Sequence, residues 1–277
     1  MNFGSLNLDY VYGVDHFVQP GETLAAISRD VKHGGKGLNQ SIALVRAGAD
    51  TAHAGCVGQG GESLLAVQEM QGHTVIQVNR EGENCILLYG GSNRCVTEKQ
   101  IRDTMARFAP GDWLVLQNEV NLLPMIVEEG ARRGLNIALN PSPYNDSLRE
   151  VDYGKLTWVL VNEIEAEQIN GESDPVNAWK VLHVRYPRLS ALITLGGKGS
   201  MAFRVTDTGV ETVRQAAQRV HAVDTTAAGD TFTGYFIVGL MENMPLQACM
   251  GRASHAAAIS VTRPGAADSI PLRSEVE

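Results

Sequence analysis

From Trp113 onward, apolar positions gather into short continuous runs: Trp113–Gln117, Leu135–Leu139, Thr157–Val161 and Ala191–Leu195. Runs of this length, rich in Leu, Val and Ile and bounded by polar residues, predict strands buried on both faces. Between them the apolar spacing lengthens to the helical period over Asn121–Arg133 and Pro175–Tyr186. An earlier helix starts at Thr97, with Gln100 as its expected capping-box partner. Strands and helices in turn specify an α/β fold, a parallel sheet sandwiched between two helix layers.

The first third departs from that rhythm. Phe3–Leu8 reads as one strand ending in Asn7-Leu8-Asp9, whose two polar side chains share a face of an extended chain. They serve either an Asx turn or one ligand. Residues 10–33 carry short alternating runs around Pro20-Gly21 and predict two small strands. Gly34-Gly35-Lys36-Gly37-Leu38-Asn39-Gln40 leads into a helix running through Ile42, Leu44 and Val45 to a stop at Gly48. Thr51–Val57 is expected as a strand, and Gly58-Gln59-Gly60-Gly61 as the opening of a helix of about three turns ending near Gln71. His73–Asn79 and Asn84–Gly90 alternate with period two about Arg80-Glu81-Gly82-Glu83, a hairpin signal.

Charge narrows the partners. With 23 Lys and Arg against 31 acidic residues, the net charge is −8, which argues against wrapping a nucleic-acid backbone or an anionic membrane. Small anions held by local dipoles remain open. The four cysteines, Cys56, Cys85, Cys95 and Cys249, form no C-x-x-C pair, and the first residues carry neither a basic start nor a long apolar run. A cytoplasmic protein with free thiols is the expectation.

Candidate chemistry concentrates in Asp224-Thr225-Thr226-Ala227-Ala228-Gly229-Asp230-Thr231-Phe232-Thr233-Gly234. Small residues at a helix start let an anion approach free N–H groups that carry roughly +0.5 of an elementary charge. Asp230 in the first turn either caps those groups or takes a proton from a hydroxyl attacking a phosphoryl group. Polar sets also follow three strands: Gln117-Asn118-Glu119, Asn140-Pro141-Ser142-Pro143 and Asn162-Glu163-Ile164-Glu165. Each could cap a helix or form a turn, yet strand C-terminal ends are where open α/β sheets gather ligands. Gly197-x-Gly199-x-x-Ala202 fits a permissive dinucleotide fingerprint, but Met201, Phe203 and Val205 alternate as a strand, so the helix that fingerprint requires is missing.

The stretch around Asp230 resembles the C-terminal signature of the ribokinase (PfkB) family of sugar and nucleoside kinases, and Gly34-Gly35-Lys36-Gly37-Leu38-Asn39 resembles its first signature. The resemblance runs from about Gly4 to Pro271 and implies a three-layer kinase core (1–9, 34–72 and 96–277) with a small β lid (10–33 and 73–95) that often pairs two subunits in a homodimer. It implies Asp230 as catalytic base and Ala227, Ala228 and Gly229 as the anion hole. Asn7, Asp9, Gly35, Lys36, Asn39 and Glu119 would bind the sugar. Asn162, Thr194, Gly196, Gly199, Ala228 and Gly229 would bind ATP, with Ser254 or His255 against the adenine. Glu165, with Asn162, would order Mg2+ through water. Asp224, Thr226, Val261, Arg263, Gly265 and Ser269 would enclose K+, partly through backbone carbonyls. Gly60 stands where the family usually has an acidic residue, and the segment between Gly61 and His73 is shorter than usual. The expected reaction is transfer of the ATP γ-phosphoryl group to a primary hydroxyl of a pentose. D-ribose comes first; deoxyribose, nucleosides, ketodeoxy sugars and fructose phosphates are the alternatives, and a non-catalytic sugar-binding relative is the rival from another class.

Overall fold

The computed structural model describes residues 1–59, 69–81 and 83–277. In chain order it contains β1 (Asn2–Phe3), β2 (Asn7–Gly13), β3 (Ser28–Gly34), α1 (Lys36–Arg46), β4 (His53–Ala54), β5 (His73–Val78), β6 (Asn84–Tyr89) and α2 (Glu98–Met105). These are followed by β7 (Trp113–Gln117), α3 (Leu123–Arg132), β8 (Asn136–Asn140), β9 (Trp158–Asn162), α4 (Glu163–Asn170), α5 (Pro175–Arg185), β10 (Ser190–Thr194), β11 (Ser200–Thr206) and β12 (Gly209–Gln215). Helices α6 (Ala228–Met241), α7 (Leu246–Ser260) and α8 (Arg273–Val276) complete the chain.

Eight strands form the main sheet in the order β12-β11-β10-β9-β8-β7-β1-β4. Neighbours from β10 to β4 run parallel, and β11 and β12 are added antiparallel. Period-two alternation splits the strand side chains between two apolar layers. Leu114, Leu116, Ile137, Val159 and Ile193 face α2, α3 and α5, where they meet Ile101, Ile126 and Leu182. Val115, Ala138, Trp158, Leu160 and Leu192 face α1, α6 and α7, against Leu44, Tyr235, Phe236 and Ala253. Both faces are therefore dry, which is why the strands carry continuous apolar runs. Helix α6 crosses α1 closely because position 234 is glycine: a Cβ there would overlap Ala43.

A separate four-stranded sheet has the order β3-β2-β5-β6. Its β2–β5 pair is parallel and its two outer pairs antiparallel. The single strand expected over Phe3–Leu8 is in fact two, β1 in the main sheet and β2 in the small one. Gly4 lets the backbone turn between them where a Cβ would overlap Gln117. The strand expected over Thr51–Val57 shrinks to His53–Ala54, because it sits at the sheet edge with one neighbour. The alternation of Met201, Phe203 and Val205 is β11, and β12 after it ends at Gln215. Thr97 does cap α2, accepting from the Gln100 backbone N–H. The Gln100 side chain instead turns to the Gly55 carbonyl, so the box is only half made. Residues 60–68 of the helix expected from Gly58 to near Gln71, and Gly82 of the expected turn, lie outside the described residues; at the ends of that stretch Gln59 and Met70 form an isolated parallel bridge. No helix among the described residues is long and apolar enough to cross a membrane.

Candidate active site

Gln117, Asn140, Asn162 and Thr194 are the last residues of four adjacent parallel strands, and the N-termini of α1, α4 and α6 converge on the same side. Ala227, the residue before α6, holds the left-handed conformation (φ 60°, ψ 9°), which costs energy in a non-glycine residue and aims the helix start at the cleft. The Ala228 N–H leans on the Thr225 carbonyl at 3.3 Å, and the helical ladder begins with Thr231 N–H on Ala227 O at 2.8 Å. A Cβ on Gly229 would meet nothing within 4 Å, so open space lies before this N-terminus.

Asp230 is buried beside that space. Gln40 Nε2 donates to its Oδ1 at 2.9 Å, Asn39 Nδ2 donates to its Oδ2 at 3.2 Å, and Lys36 Nζ stands 3.9 Å from Oδ1. The Asp230 carboxylate, assisted by Glu119 and Glu165, holds the Lys36 ammonium above its ordinary pKa against the cost of burial. The lysine is therefore a fixed positive charge at neutral pH.

On the small-sheet side, Asn7 and Asp9 project from the same face of β2 and are both buried. Asn93 Nδ2 donates to Asn7 Oδ1 at 2.6 Å, which leaves Asn7 Nδ2 without a partner among the described residues. The Thr74 hydroxyl donates to Asp9 Oδ1 at 2.7 Å, and burial pushes the Asp9 carboxyl up. Glycine at 34 is obligatory, since a Cβ would overlap the Asp9 carboxylate; Gly35, at φ 94°, passes beside Asn7. Glu119 accepts from the Lys36 backbone N–H at 3.0 Å and from the Ser5 hydroxyl, and burial raises its pKa too. Asn39 Oδ1 also lacks a partner among the described residues. Buried amides with unused donors and acceptors are costly unless a polar ligand completes them.

On the other side of Asp230 a cavity of about 370 Å³ is lined by Thr194, Gly196, Gly199, Thr225, Gly229 and Ser254, among others. A narrower cleft lined by Lys36, Asn140, Asn162, Glu165, Thr194 and Gly229 joins it towards Asp230. Asn162 and Glu165 close a capping box at the start of α4, each side chain accepting from the other's backbone N–H. One Glu165 oxygen is thereby used and the other is left for the cleft. Ser254 lines the large cavity, whereas His255 points away and donates from Nδ1 to the Val276 carbonyl at 3.1 Å. Of the two neighbouring candidates, only Ser254 lines this cavity.

Asp224 ties the turn before α6 to the loop after α7: its Oδ1 accepts from the Thr226 N–H and its Oδ2 from the Gly265 N–H, both at 2.9 Å. Val261 O receives the N–H groups of Val223 and Asp224. The Arg263 side chain pairs with Glu275, and the Ser269 hydroxyl donates to Ala266 O, so neither side chain faces this loop junction. Asn140 belonged to the polar sets read at the strand ends, but sequence reasoning missed Ser5, Gln40, Thr74 and Asn93 as parts of the site. Gln40 adjoins Asn39 in the glycine-rich stretch, and one helical step places both on Asp230; the others carried no signal beyond being polar residues at element ends.

Residues 1–273 match the family described as pfkB family carbohydrate kinase. The chain is 34% identical to the ribokinase of Haemophilus influenzae, with 98% of this chain and 95% of that protein covered. It is 32% identical to the ribokinase of Staphylococcus aureus, covering 99% of this chain and 96% of the relative. The crystal structure of ribokinase from Thermotoga maritima superposes with a TM-score of 0.86 at 32% identity, over 99% of this chain and 96% of that one. The mostly parallel sheet between helix layers, with its separate small sheet, is thus a ribokinase-like fold. The chain belongs to the pfkB family of carbohydrate kinases, phosphotransferases that use an alcohol group as acceptor.

Proposed function

We propose that the chain transfers the γ-phosphoryl group of ATP to the primary hydroxyl of D-ribose. The observation that carries this reading is the position of Asp230, between unpartnered sugar-type donors and acceptors on one side and an open helix N-terminus on the other. The sugar lies against Asn7, Asp9, Lys36, Asn39 and Glu119, with its hydroxyl at the Asp230 carboxylate. As the oxygen bonds to phosphorus, Asp230 takes the proton, and the negative charge on the transferred group faces Lys36 and the start of α6. The nucleotide occupies the cavity from Thr194 to Ser254. Coverage by the small sheet keeps water from competing for the phosphoryl group.

Glu165 keeps one free oxygen at the cleft, which fits a magnesium ion held through water; that ion would neutralise phosphate charge. The carbonyl oxygens of Thr226, Arg263 and Gly265 receive no hydrogen bond from the described residues. Beside Asp224 they fit a potassium ion that would fix the turn preceding α6. The partner expected at the small sheet is a second copy of the chain, supported by the apolar residues β6 exposes.

Ribose is favoured by the relatives named ribokinase. A deoxyribokinase of Salmonella typhi at 29% identity makes deoxyribose the competing substrate. The test is ATP consumption with ribose, deoxyribose, fructose 6-phosphate and adenosine, each in potassium and in Tris as counterion at constant ionic strength. Ribose should give the highest kcat/KM, and potassium should raise the rate. A preference for deoxyribose would replace the substrate, equal rates in both counterions would remove the cation, and no sugar-dependent consumption would sink the kinase reading.

A further inference from the structure

Asp230 receives two amide donors, but they are anchored differently. Asn39 Oδ1 has no partner among the described residues, so that amide is held at one end only. Gln40 is held at both. Its Nε2 donates to Asp230 Oδ1 at 2.9 Å and to Asn140 Oδ1 at 3.2 Å, which uses both hydrogens. Its Oε1 accepts from Gln117 Nε2 at 2.6 Å, and the same Gln117 nitrogen donates to Asn2 Oδ1 at 3.0 Å. Asn2 is fixed in turn by donating to the Gly37 carbonyl and to Ser41 Oγ. Gln40, Gln117 and Asn2 are fully buried. Turning the Gln40 amide over would set its oxygen against the Asp230 carboxylate and its NH2 group against that of Gln117, two repulsions in a low-dielectric interior.

We propose that Gln40 is the positioning residue of the catalytic base. Clamped by Gln117, it fixes the rotation of the Asp230 carboxylate, so that a lone pair points at the sugar hydroxyl. The assignment rests on reading Asp230 as the base and adds a residue that touches neither substrate. A side chain that only filled the core would affect folding and every ligand alike. A positioning residue acts through Asp230 alone, so its effect has to disappear when the carboxylate is gone.

The experiment is a set of mutant cycles with Gln40→Met, Gln117→Met and Asp230→Asn, singly and combined, measuring kcat, KM for ribose and ATP, ribose binding by calorimetry and thermal unfolding. Met keeps the volume and removes the amide. Gln40→Met should lower kcat by about tenfold or more while ribose affinity stays within about threefold, and Gln117→Met should act in the same direction more weakly. The Gln40→Met/Gln117→Met pair should be no slower than Gln40→Met, and in the Asp230→Asn background either change should alter the residual rate by less than about twofold. Should Gln40→Met fail to fold, Gln117→Met in the two backgrounds carries the same test. A Gln40→Met enzyme with wild-type kcat, or losses that multiply undiminished onto a crippled Asp230→Asn enzyme, would overturn the assignment while leaving the base in place. An Asp230→Asn enzyme retaining more than about a tenth of kcat would overturn the base reading itself, and this inference with it.

Discussion

Many polar side chains around the site are tied to definite partners, and those ties decide what is left for a substrate. Asn7 spends its oxygen on Asn93 and keeps its NH2 group; Asp9 spends one oxygen on Thr74 and keeps the other. His53 shows the same economy away from the site. Its Nε2 meets the Gly4 carbonyl at 3.2 Å, which requires a proton on Nε2 and leaves Nδ1 to accept from the Ser41 hydroxyl at 2.7 Å. Burial lowers its pKa to about 4 from the ordinary 6.5. Because the folded state binds this proton less readily than the unfolded chain, the imidazole costs nothing above pH 6.5 and destabilises the fold progressively from there down to pH 4. Between pH 7 and pH 5 the cost is about 2 kcal/mol. Urea unfolding at the two pH values should show a stability drop smaller by roughly that amount in His53→Gln than in the wild type. An equal drop in both would show that His53 does not titrate in this way.

At the scale of elements, the small sheet is the part that the sequence least resolves. Asn7 and Asp9 were legible as a pair sharing one face of an extended chain, but the break between β1 and β2 was not, because Gly4 and Ser5 interrupt no apolar period. What turns the chain there is a close approach to Gln117 and Gly37, a tertiary contact with no local signature. Strand β6 pairs only with β5 and forms an edge of its sheet. Ile86, Leu87 and Tyr89 on it are 51%, 71% and 50% exposed, an unusual concentration of apolar side chains on an unpaired edge. The second subunit proposed above, seated on this strand, would cover them. Sedimentation should find a dimer that Leu87→Asp converts to monomer with little change in unfolding temperature. A monomeric wild-type protein at micromolar concentration would remove the dimer.

For the whole molecule, the layered core and the convergence of the site on the strand ends were legible. Both follow from local periods, apolar runs for buried strands and small residues at the start of α6. The glycine-rich stretch and the Asp230 stretch are far apart in sequence, yet the crossing of α1 over α6 sets Asn39 and Gln40 on the Asp230 carboxylate. Asn93 and Thr74, which fix the site from behind, gain their roles only through partners distant in sequence. Reading one strand at a time gives them no more weight than any other polar residue. His255 illustrates the converse, since two neighbouring polar residues on α7 face opposite ways and only the packing of α8 settles which one lines the cavity.

In the proposed reaction the sandwich and its small sheet bring a sugar hydroxyl and the ATP γ-phosphoryl group together at one carboxylate. A sugar hydroxyl is too weak an acid to ionise at neutral pH, so its proton has to leave as the new bond forms, and Asp230 is the carboxylate both half-sites share. The most direct test is kcat of Asp230→Asn, measured beside calorimetric binding of ribose to the same protein. Asn keeps the size and one acceptor but loses the basicity. The expected result is a fall in kcat of about 100- to 10,000-fold with ribose still bound, because Asn7, Asp9, Lys36 and Asn39 survive. A variant that keeps more than about a tenth of the wild-type kcat would contradict it and would reduce Asp230 to a cap on α6.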